Sequence, residues 1–133
     1  MKNVMNILFL DDDLDRTKIF LLNVLNAHTV ETAMECISVL QSKEEWDYVL
    51  LDHDLGGNIF VDSDREDCGM EVIRWIVKNK PIIKQVVVHS FNPDASKEMI
   101  LKLRDAGYDA IPVPFYLFNS EKSNIYAVLN GET

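Results

Sequence analysis

The sequence is poor in cysteine and in positive charge, and each shortage excludes a class of protein. Its two cysteines, Cys36 and Cys68, form no CxxC spacing, so no disulfide framework is expected. The protein is instead expected to be reduced and cytoplasmic. Thirteen Lys and Arg residues against 22 Asp and Glu give a net charge of -9. Because such a chain repels a phosphate backbone, extended binding to DNA or RNA is not expected, whereas a short nucleotide or one RNA end bridged by a metal is compatible.

Long apolar runs are absent as well. The N-terminal run is too short for a signal peptide and ends in acids, and no run approaches the roughly 20 residues that cross a bilayer, so no membrane association is expected. No internal repeat, low-complexity tract or linker divides the 133 residues, and 47% of them are hydrophobic. A single domain over 1–133 with a packed core is therefore expected.

Short apolar runs alternate with segments of helical periodicity along the chain. The predicted strands are 6–10, 28–30, 47–52, 82–90 and 109–113, and the predicted helices are 15–26, 31–43, 70–79, 94–106 and 121–129. The first helix is expected to be mostly buried, because Ile19, Leu22 and Leu25 belong to a broad apolar face. A polar loop over 53–68 is long enough to be functional or mobile. Such alternation requires crossovers, and it predicts an α/β fold, a doubly wound parallel sheet of five strands with helices on both faces.

Carboxylates directly follow two of the predicted strands. The first strand ends at Asp11, Asp12 and Asp13, and the third ends at Asp52, two residues before Asp54. Like charges crowded at a strand end repel each other unless a cation or a proton relieves them. Because ligands of parallel sheets bind at the carboxyl ends of the strands, a divalent cation site is predicted there, with magnesium or manganese expected and zinc as the alternative.

The predicted metal ligands are Asp11, Asp12 and Asp52, with Asp54 as a less secure fourth. Asp54 shares a strand face with Asp52 only if the chain stays extended beyond the strand. Asp13, with Asp15 as its alternative, is expected to cap the following helix.

Two histidines stand at matching strand ends. His53 follows the third predicted strand, and His89 precedes Ser90 at the end of the fourth. An imidazole that titrates near neutral pH suits general acid–base catalysis as well as manganese or zinc binding. Neighbouring residues in a strand point to opposite faces, so either ring could instead pack against the helices. Ser90 and Asn92 are candidate phosphate ligands, and Asn92 is alternatively a helix cap before Pro93.

The chain resembles a response-regulator receiver domain from Ile7 to about Leu129. The matching motif residues are the acidic pair Asp11-Asp12, the phosphoryl-accepting Asp52, the phosphoryl-sensing Ser90 and the Pro114-Phe115 step after the fifth strand. The resemblance implies the strand order 2-1-3-4-5 and a divalent cation, usually magnesium, on the acidic pair.

Three departures separate the chain from ordinary receivers. Val113 stands where the family has a lysine that contacts the phosphoryl group, His53-Asp-Leu-Gly56 replaces the usual apolar pair and proline, and His89 precedes Ser90. These motifs are more similar to a divergent group described as cyclic-phosphate-processing receiver domains. That resemblance implies an action on cyclic phosphates, at RNA ends or on cyclic nucleotides.

Three functions are compatible with these residues. The first is a metal-dependent phosphoesterase or cyclic phosphodiesterase with Asp52, His53 and His89 as catalytic residues and Ser90 and Asn92 on the phosphate. The second is a phosphoacceptor switch at Asp52, which the missing lysine disfavours. The third is a binding module that senses a small phosphorylated ligand, or contacts a protein partner, without turnover. A haloacid-dehalogenase-type phosphatase fits less well, because its lysine and late acidic pair are missing at the expected places.

Overall fold

The five predicted strands and five predicted helices are all found in the structure, a computed structural model that describes residues 5–55, 64–120 and 123–131. Residues 56–63 of the predicted loop and 121–122 of the predicted last helix lie outside these ranges. The strands are β1 (Ile7–Leu10), β2 (His28–Val30), β3 (Glu45–Leu51), β4 (Ile82–Val88) and β5 (Ala110–Pro112). The helices are α1 (Leu14–Asn23), α2 (Ala33–Leu40), α3 (Gly69–Asn79), α4 (Pro93–Asp105) and α5 (Ile125–Leu129), with a 3-10 turn over Phe115–Leu117 before α5.

All pairings in the sheet are parallel, and the strand order is β2-β1-β3-β4-β5. This confirms the fold class and the order that the resemblance implies. Leu10 pairs with Leu51, and Leu51 pairs with Val88, so the three central strands end at one level. The residues that follow them are therefore delivered side by side at the same edge of the sheet.

Alternate side chains along each strand point to opposite faces of the sheet, which divides the core into two layers. Leu8 and Leu10 of β1 point towards α2, α3 and α4, whereas Ile7 and Phe9 point towards α1 and α5. Both faces of the sheet are covered, which explains why the central strands read as continuous apolar runs. Among the described residues, no helix combines the length and the apolarity needed to cross a bilayer.

The prediction that α1 is mostly buried is wrong. Phe20 is its only fully buried residue, while Leu22 and Leu25 are 74% and 79% exposed and Ile19 is 40% exposed. Phe20 stacks on Phe9 with ring centroids 4.1 Å apart, which fixes the inward face of the helix. At 3.6 residues per turn, Leu22 then points away from the sheet, and the helix ends at Asn23, before Leu25.

A close backbone contact joins the end of β3 to the start of α3. The Gly69 amide donates a hydrogen bond to the His53 carbonyl at 2.8 Å. A Cβ atom at Gly69 would lie 1.9 Å from the Asp52 carbonyl oxygen and 2.8 Å from the His53 Cα atom. Only glycine fits this contact, which holds the chain after Asp52 in place.

Gly69→Ala is expected to lower the free energy of unfolding by more than about 3 kcal/mol, because the added methyl group meets backbone rather than a movable side chain. Gly107→Ala is the control: a Cβ there meets nothing within 4 Å, so only its φ of +95° opposes the change, at about 1–2 kcal/mol. Urea unfolding of both variants measures the difference. Equal stability of the two variants would contradict this account of Gly69.

Candidate functional site

Three buried polar side chains meet where β1, β3 and β4 end. Asp11, Asp52 and His89 are the first residues after these strands, with exposed fractions of 0%, 4% and 1%. One ligand atom from each lies within 4.8 Å of the others. We call these three residues the acidic cluster. Their backbone amides continue the sheet by bonding to the neighbouring strand, so the positions of all three are set by the register.

Arg16 on the first turn of α1 neutralises part of this charge. Its Nε and Nη2 atoms donate to the two carboxylate oxygens of Asp11 at 2.8 and 2.9 Å, and Nη2 lies 3.6 Å from Asp52 Oδ2. Such a two-pronged contact is among the strongest that a carboxylate makes. The Asp13 side chain accepts from the Arg16 amide at 3.0 Å and thereby caps the helix, as expected.

The two carboxylates of the acidic cluster are in unequal environments. Burial opposes ionisation of Asp11, but hydrogen bonds from His89 and Arg16 outweigh it and lower the pKa to about 2. Burial raises the pKa of Asp52 to about 6, and the neighbouring Asp11 charge adds to the effect. Asp11 is therefore a permanent anion, whereas Asp52 exchanges a proton close to neutral pH.

The His89 ring is fixed between an anion and an aromatic cluster. Its Nε2 atom lies 3.2 Å from Asp11 Oδ2, and because an ionised carboxylate only accepts, Nε2 carries the proton. The ring stacks on Phe9 with centroids 4.7 Å apart and an interplanar angle of 6°, and it meets Phe115 and Phe118 edge-on. His89 Nδ1 has no hydrogen-bond partner in the described part of the chain.

His53 belongs to a second group of side chains. It is completely buried, and its Nδ1 atom lies 2.8 Å from Asp54 Oδ1. The ring also hydrogen-bonds the thiol of Cys68, the N-cap residue of α3. Burial alone would lower the pKa of His53. The hydrogen bonds to Cys68 and Asp54 raise it by more than burial lowers it, so the pKa lies above its ordinary value. His53 thus links the end of β3 to α3, beside the acidic cluster and not within it.

Ser90 and Asn92 form the turn that leads into α4. Ser90 Oγ accepts from the Asn92 amide at 3.0 Å. Asn92 Oδ1 accepts from the Ala95 amide at 3.1 Å, and its Nδ2 atom donates to Asp54 Oδ1 at 3.3 Å. Asn92 is therefore a helix cap, the alternative that the sequence left open, with Pro93 as the first residue of α4. Its role on a phosphate stays a prediction, as does that of Ser90.

The structure gathers only part of the predicted site. Asp11, Asp52 and His89 come together, whereas two predicted metal ligands, Asp12 and Asp54, are not members of the acidic cluster. Asp54 is turned towards His53 and Asn92 instead, because the chain leaves the extended conformation after Asp52.

Sequence reasoning missed Arg16. The usable signal was electrostatic: Arg16 is the first basic residue after three adjacent acids, one helical turn from the cap at Asp13. A buried acidic pair requires a nearby cation, and the first turn of the following helix is the nearest place for one.

The comparison with known families now adds to this geometry. Residues 6–105 match the family described as the cyclic-phosphate processing receiver domain. The chain belongs to this family. The match spans β1 through α4 and so includes every residue of the acidic cluster.

Solved structures of receiver domains share the fold at low sequence identity. The non-phosphorylated receiver domain of RcsB from Escherichia coli is 17% identical with a TM-score of 0.61, over 98% of this chain and 97% of that one. A CheY-like receiver domain from Methanospirillum hungatei is 19% identical with a TM-score of 0.59, over 98% and 100%. The Mn(2+)-bound form of the response regulator Rcp1 is 13% identical with a TM-score of 0.54, over 96% and 91%. No curated protein sequence matches the chain.

Asp52→Asn is expected to raise the free energy of unfolding of the metal-free receiver domain near pH 7.5 by roughly 1–3 kcal/mol. The pKa of Asp52 is about 6 in the folded protein, above its ordinary 3.8, so the ionised form opposes folding at neutral pH. The folded state takes up the proton as the pH falls through about 6, so the gain from Asn shrinks in that window and is lost below about pH 4.

Urea unfolding of both proteins in EDTA, from about pH 7.5 to about pH 4.5, measures this dependence. Asp94→Asn, an exposed change on α4, is the control and is expected to have an effect within about 0.5 kcal/mol. A destabilised Asp52→Asn at neutral pH would show that the Arg16 contact outweighs the burial of the charge.

Proposed function

We propose that this receiver domain hydrolyses a cyclic phosphoester with the help of a divalent cation held by Asp11 and Asp52. The observation that carries the proposal is the acidic cluster itself, two buried carboxylates beside an imidazole N–H at adjoining strand ends. The family description, cyclic-phosphate processing, supports the choice of ester. The substrate is proposed to be a cyclic nucleotide or an RNA end.

The donor set fits magnesium or manganese. Carboxylate oxygens are the ligands that these hard cations prefer, and Asp11 and Asp52 offer oxygens within 4.8 Å of each other. Burial, the main cause of the raised Asp52 pKa, and the neighbouring Asp11 charge disfavour the Asp52 anion despite Arg16, so a second positive charge would be stabilised there. The related Rcp1 fold has been solved with Mn(2+). A bound cation would neutralise charge on the phosphate oxygens and acidify a water molecule.

His89 is a poorer ligand than the two carboxylates. Its Nε2 atom already carries a proton, which it donates to Asp11, and a metal ligand needs a free lone pair on that atom. With a second proton on Nδ1 the ring would be an imidazolium, and that form could donate the Nε2 proton as a general acid. We therefore assign the metal to the carboxylates and the proton donation to His89.

Hydrolysis requires one proton transfer in each direction. Water adds to phosphorus while the ring P–O bond breaks, so the water must lose a proton and the departing alkoxide must gain one. Asp52, which would offer one carboxylate oxygen to the cation, has a second oxygen to accept the first proton, and His89 Nε2 faces the cluster as the donor of the second. A proton returned from Asp52 through solvent to His89 completes the cycle. The predicted catalytic role of His53 stays a prediction, since its ring contacts Asp54 and Cys68.

Arg16 can take over the task of the missing lysine. Val113 stands at the lysine position and packs against the core between the sheet and α1 and α5. A cation held by Asp11 would compete with the Arg16 guanidinium for the same two oxygens. The guanidinium, which also lies against Phe91, would then be free to bind two phosphate oxygens at once.

Purified protein is expected to hydrolyse a 2′,3′-cyclic nucleotide in the presence of magnesium or manganese, and chelation with EDTA is expected to stop the reaction. Asp52→Asn is expected to lower turnover at least about 10²-fold, because it removes both a metal ligand and the proton acceptor. Since this variant is expected to fold more stably than the parent, the loss would not be an unfolding artefact. Phosphate monoester release, followed by chromatography, is the measurement.

Two other outcomes would replace the proposal. Absence of turnover together with a base-labile phosphoryl adduct on Asp52 after incubation with acetyl phosphate would identify a phosphoacceptor switch. Absence of both, with thermal stabilisation by the cyclic nucleotide, would identify a binding module.

Arg16→Gln is expected to separate metal binding from catalysis. Removal of the competing guanidinium is expected to tighten manganese binding roughly tenfold, because a charged hydrogen bond is worth about 1.5–3 kcal/mol. Turnover is expected to fall roughly 10²-fold, because a donor to the phosphate is lost. Isothermal titration and initial rates measure the two effects. Lys18→Ala, an exposed cation on the same helix, is the control. Weaker manganese binding in Arg16→Gln would assign Arg16 to holding the carboxylates in place.

A further inference from the structure

Two exposed aromatic rings stand next to the acidic cluster. Phe91 follows Ser90 and is 50% exposed, and Tyr116 on the 3-10 turn is 69% exposed. Their rings are nearly parallel, with an interplanar angle of 14° and centroids 6.1 Å apart. Exposed, stacked aromatics at the mouth of a polar site are the surface on which nucleobases stack. We call Phe91 and Tyr116 the aromatic platform.

One side chain connects the aromatic platform to the acidic cluster. The Arg16 guanidinium binds Asp11 on one side, and its Cζ atom lies 5.2 Å from the centroid of the Phe91 ring. Ser90, which follows His89 directly, lies between the platform and the cluster in sequence. A phosphate bound at the acidic cluster would thus be separated from the Phe91 ring by no more than the Arg16 side chain, and that ring is able to stack on a base.

A groove extends from Ser90 along α4 and β5. Its volume is about 530 Å³, within the range of sites that hold small organic ligands. Its walls are largely apolar, with Pro93, Ile100 and Pro112 beside the aromatic platform. Ser90 and Ser96 add hydroxyl groups along the same walls. The groove has the size and the mixed lining that a nucleoside requires.

The charge of the groove favours an anionic ligand. The chain carries a net charge of -9, yet the charged side chains that line the groove are Lys97 and Arg104. Arg16 packs against Phe91 as a third cation beside the groove, while the Arg104 guanidinium donates two hydrogen bonds to the Ala110 carbonyl. An apolar wall with positive charge at its margins matches a nucleotide better than an uncharged peptide segment. The acidic remainder of the surface disfavours a long polynucleotide.

We propose that this groove binds the nucleoside of the ligand, with the base stacked on the aromatic platform and the cyclic phosphate directed to Ser90, Arg16 and the acidic cluster. The inference rests on the proposed function for the position of the phosphate. It adds that the ligand is a base-bearing cyclic nucleotide and that affinity comes from the base as well as from the phosphate.

The test compares two ligands on the full chain with manganese. One is a 2′,3′-cyclic nucleotide, and the other is a cyclic phosphate of glycerol, which has no base. Binding is measured by titration calorimetry and KM by initial rates. The nucleotide is expected to bind roughly 5- to 150-fold more tightly than the base-free ligand, the range expected for one stacked base.

Variants of the aromatic platform then locate the base. Tyr116→Ala is expected to remove most of this preference and to leave binding of the base-free phosphate unchanged, whereas Tyr116→Phe keeps the preference. Phe91→Ala also removes the contact to Arg16, so it is expected to weaken binding of both ligands and of the nucleotide more. Leu22→Ala, an exposed apolar change on α1, is the control and is expected to change nothing.

The outcomes separate this inference from the proposed function. Equal affinity and equal KM for the two ligands would overturn the inference while turnover of both upheld the proposed function. Base-dependent binding without turnover would uphold the inference and overturn hydrolysis. If Phe91→Ala changed the oligomeric state and left nucleotide binding intact, the groove would be an interface between copies of the chain, and the inference would fail.

Discussion

The structure depends on two carboxylates that are withdrawn from water at one edge of the sheet. Parallel pairing of Leu10 with Leu51 places Asp11 and Asp52 side by side, and burial makes their mutual repulsion strong. Burial dominates at Asp52 and raises its pKa to about 6, whereas hydrogen bonds from His89 and Arg16 outweigh burial at Asp11 and lower its pKa to about 2. The arrangement that opposes folding is also the one on which the proposed cation site rests.

Most of the fold could be predicted because the strands are short, apolar and separated by helical periodicity. The sequence did not reveal the orientation of α1, since its apolar residues surround the helix and only the Phe20–Phe9 stack decides which of them face inward. The start of α5 also differs from the predicted helix 121–129: Asn124 has a left-handed backbone, with a φ of 48°, and α5 begins after it at Ile125. Periodicity describes a helix, but tertiary contacts choose its buried face and its length.

The candidate site could be predicted where backbone geometry alone determines it. Asp11, Asp52 and His89 occupy matching strand ends, so strand register suffices to bring them together. Asp54 could not be placed, because its direction depends on how the chain turns after Asp52. Arg16 was missed for a different reason: its contribution comes from the end of a long side chain that reaches back across the cap of its own helix. The alternation of side chains between the two faces predicts their direction only where the chain is extended.

The stack of His89 on Phe9 has a consequence beyond the site. Phe9 also stacks on Phe20, and Phe20 in turn meets Phe118 and Tyr126 beside α5. The orientation of the His89 ring in the acidic cluster is therefore fixed by a series of aromatic contacts that continues through the hydrophobic core. Side-chain packing around α5 therefore bears on the position of the His89 ring at the edge of the sheet.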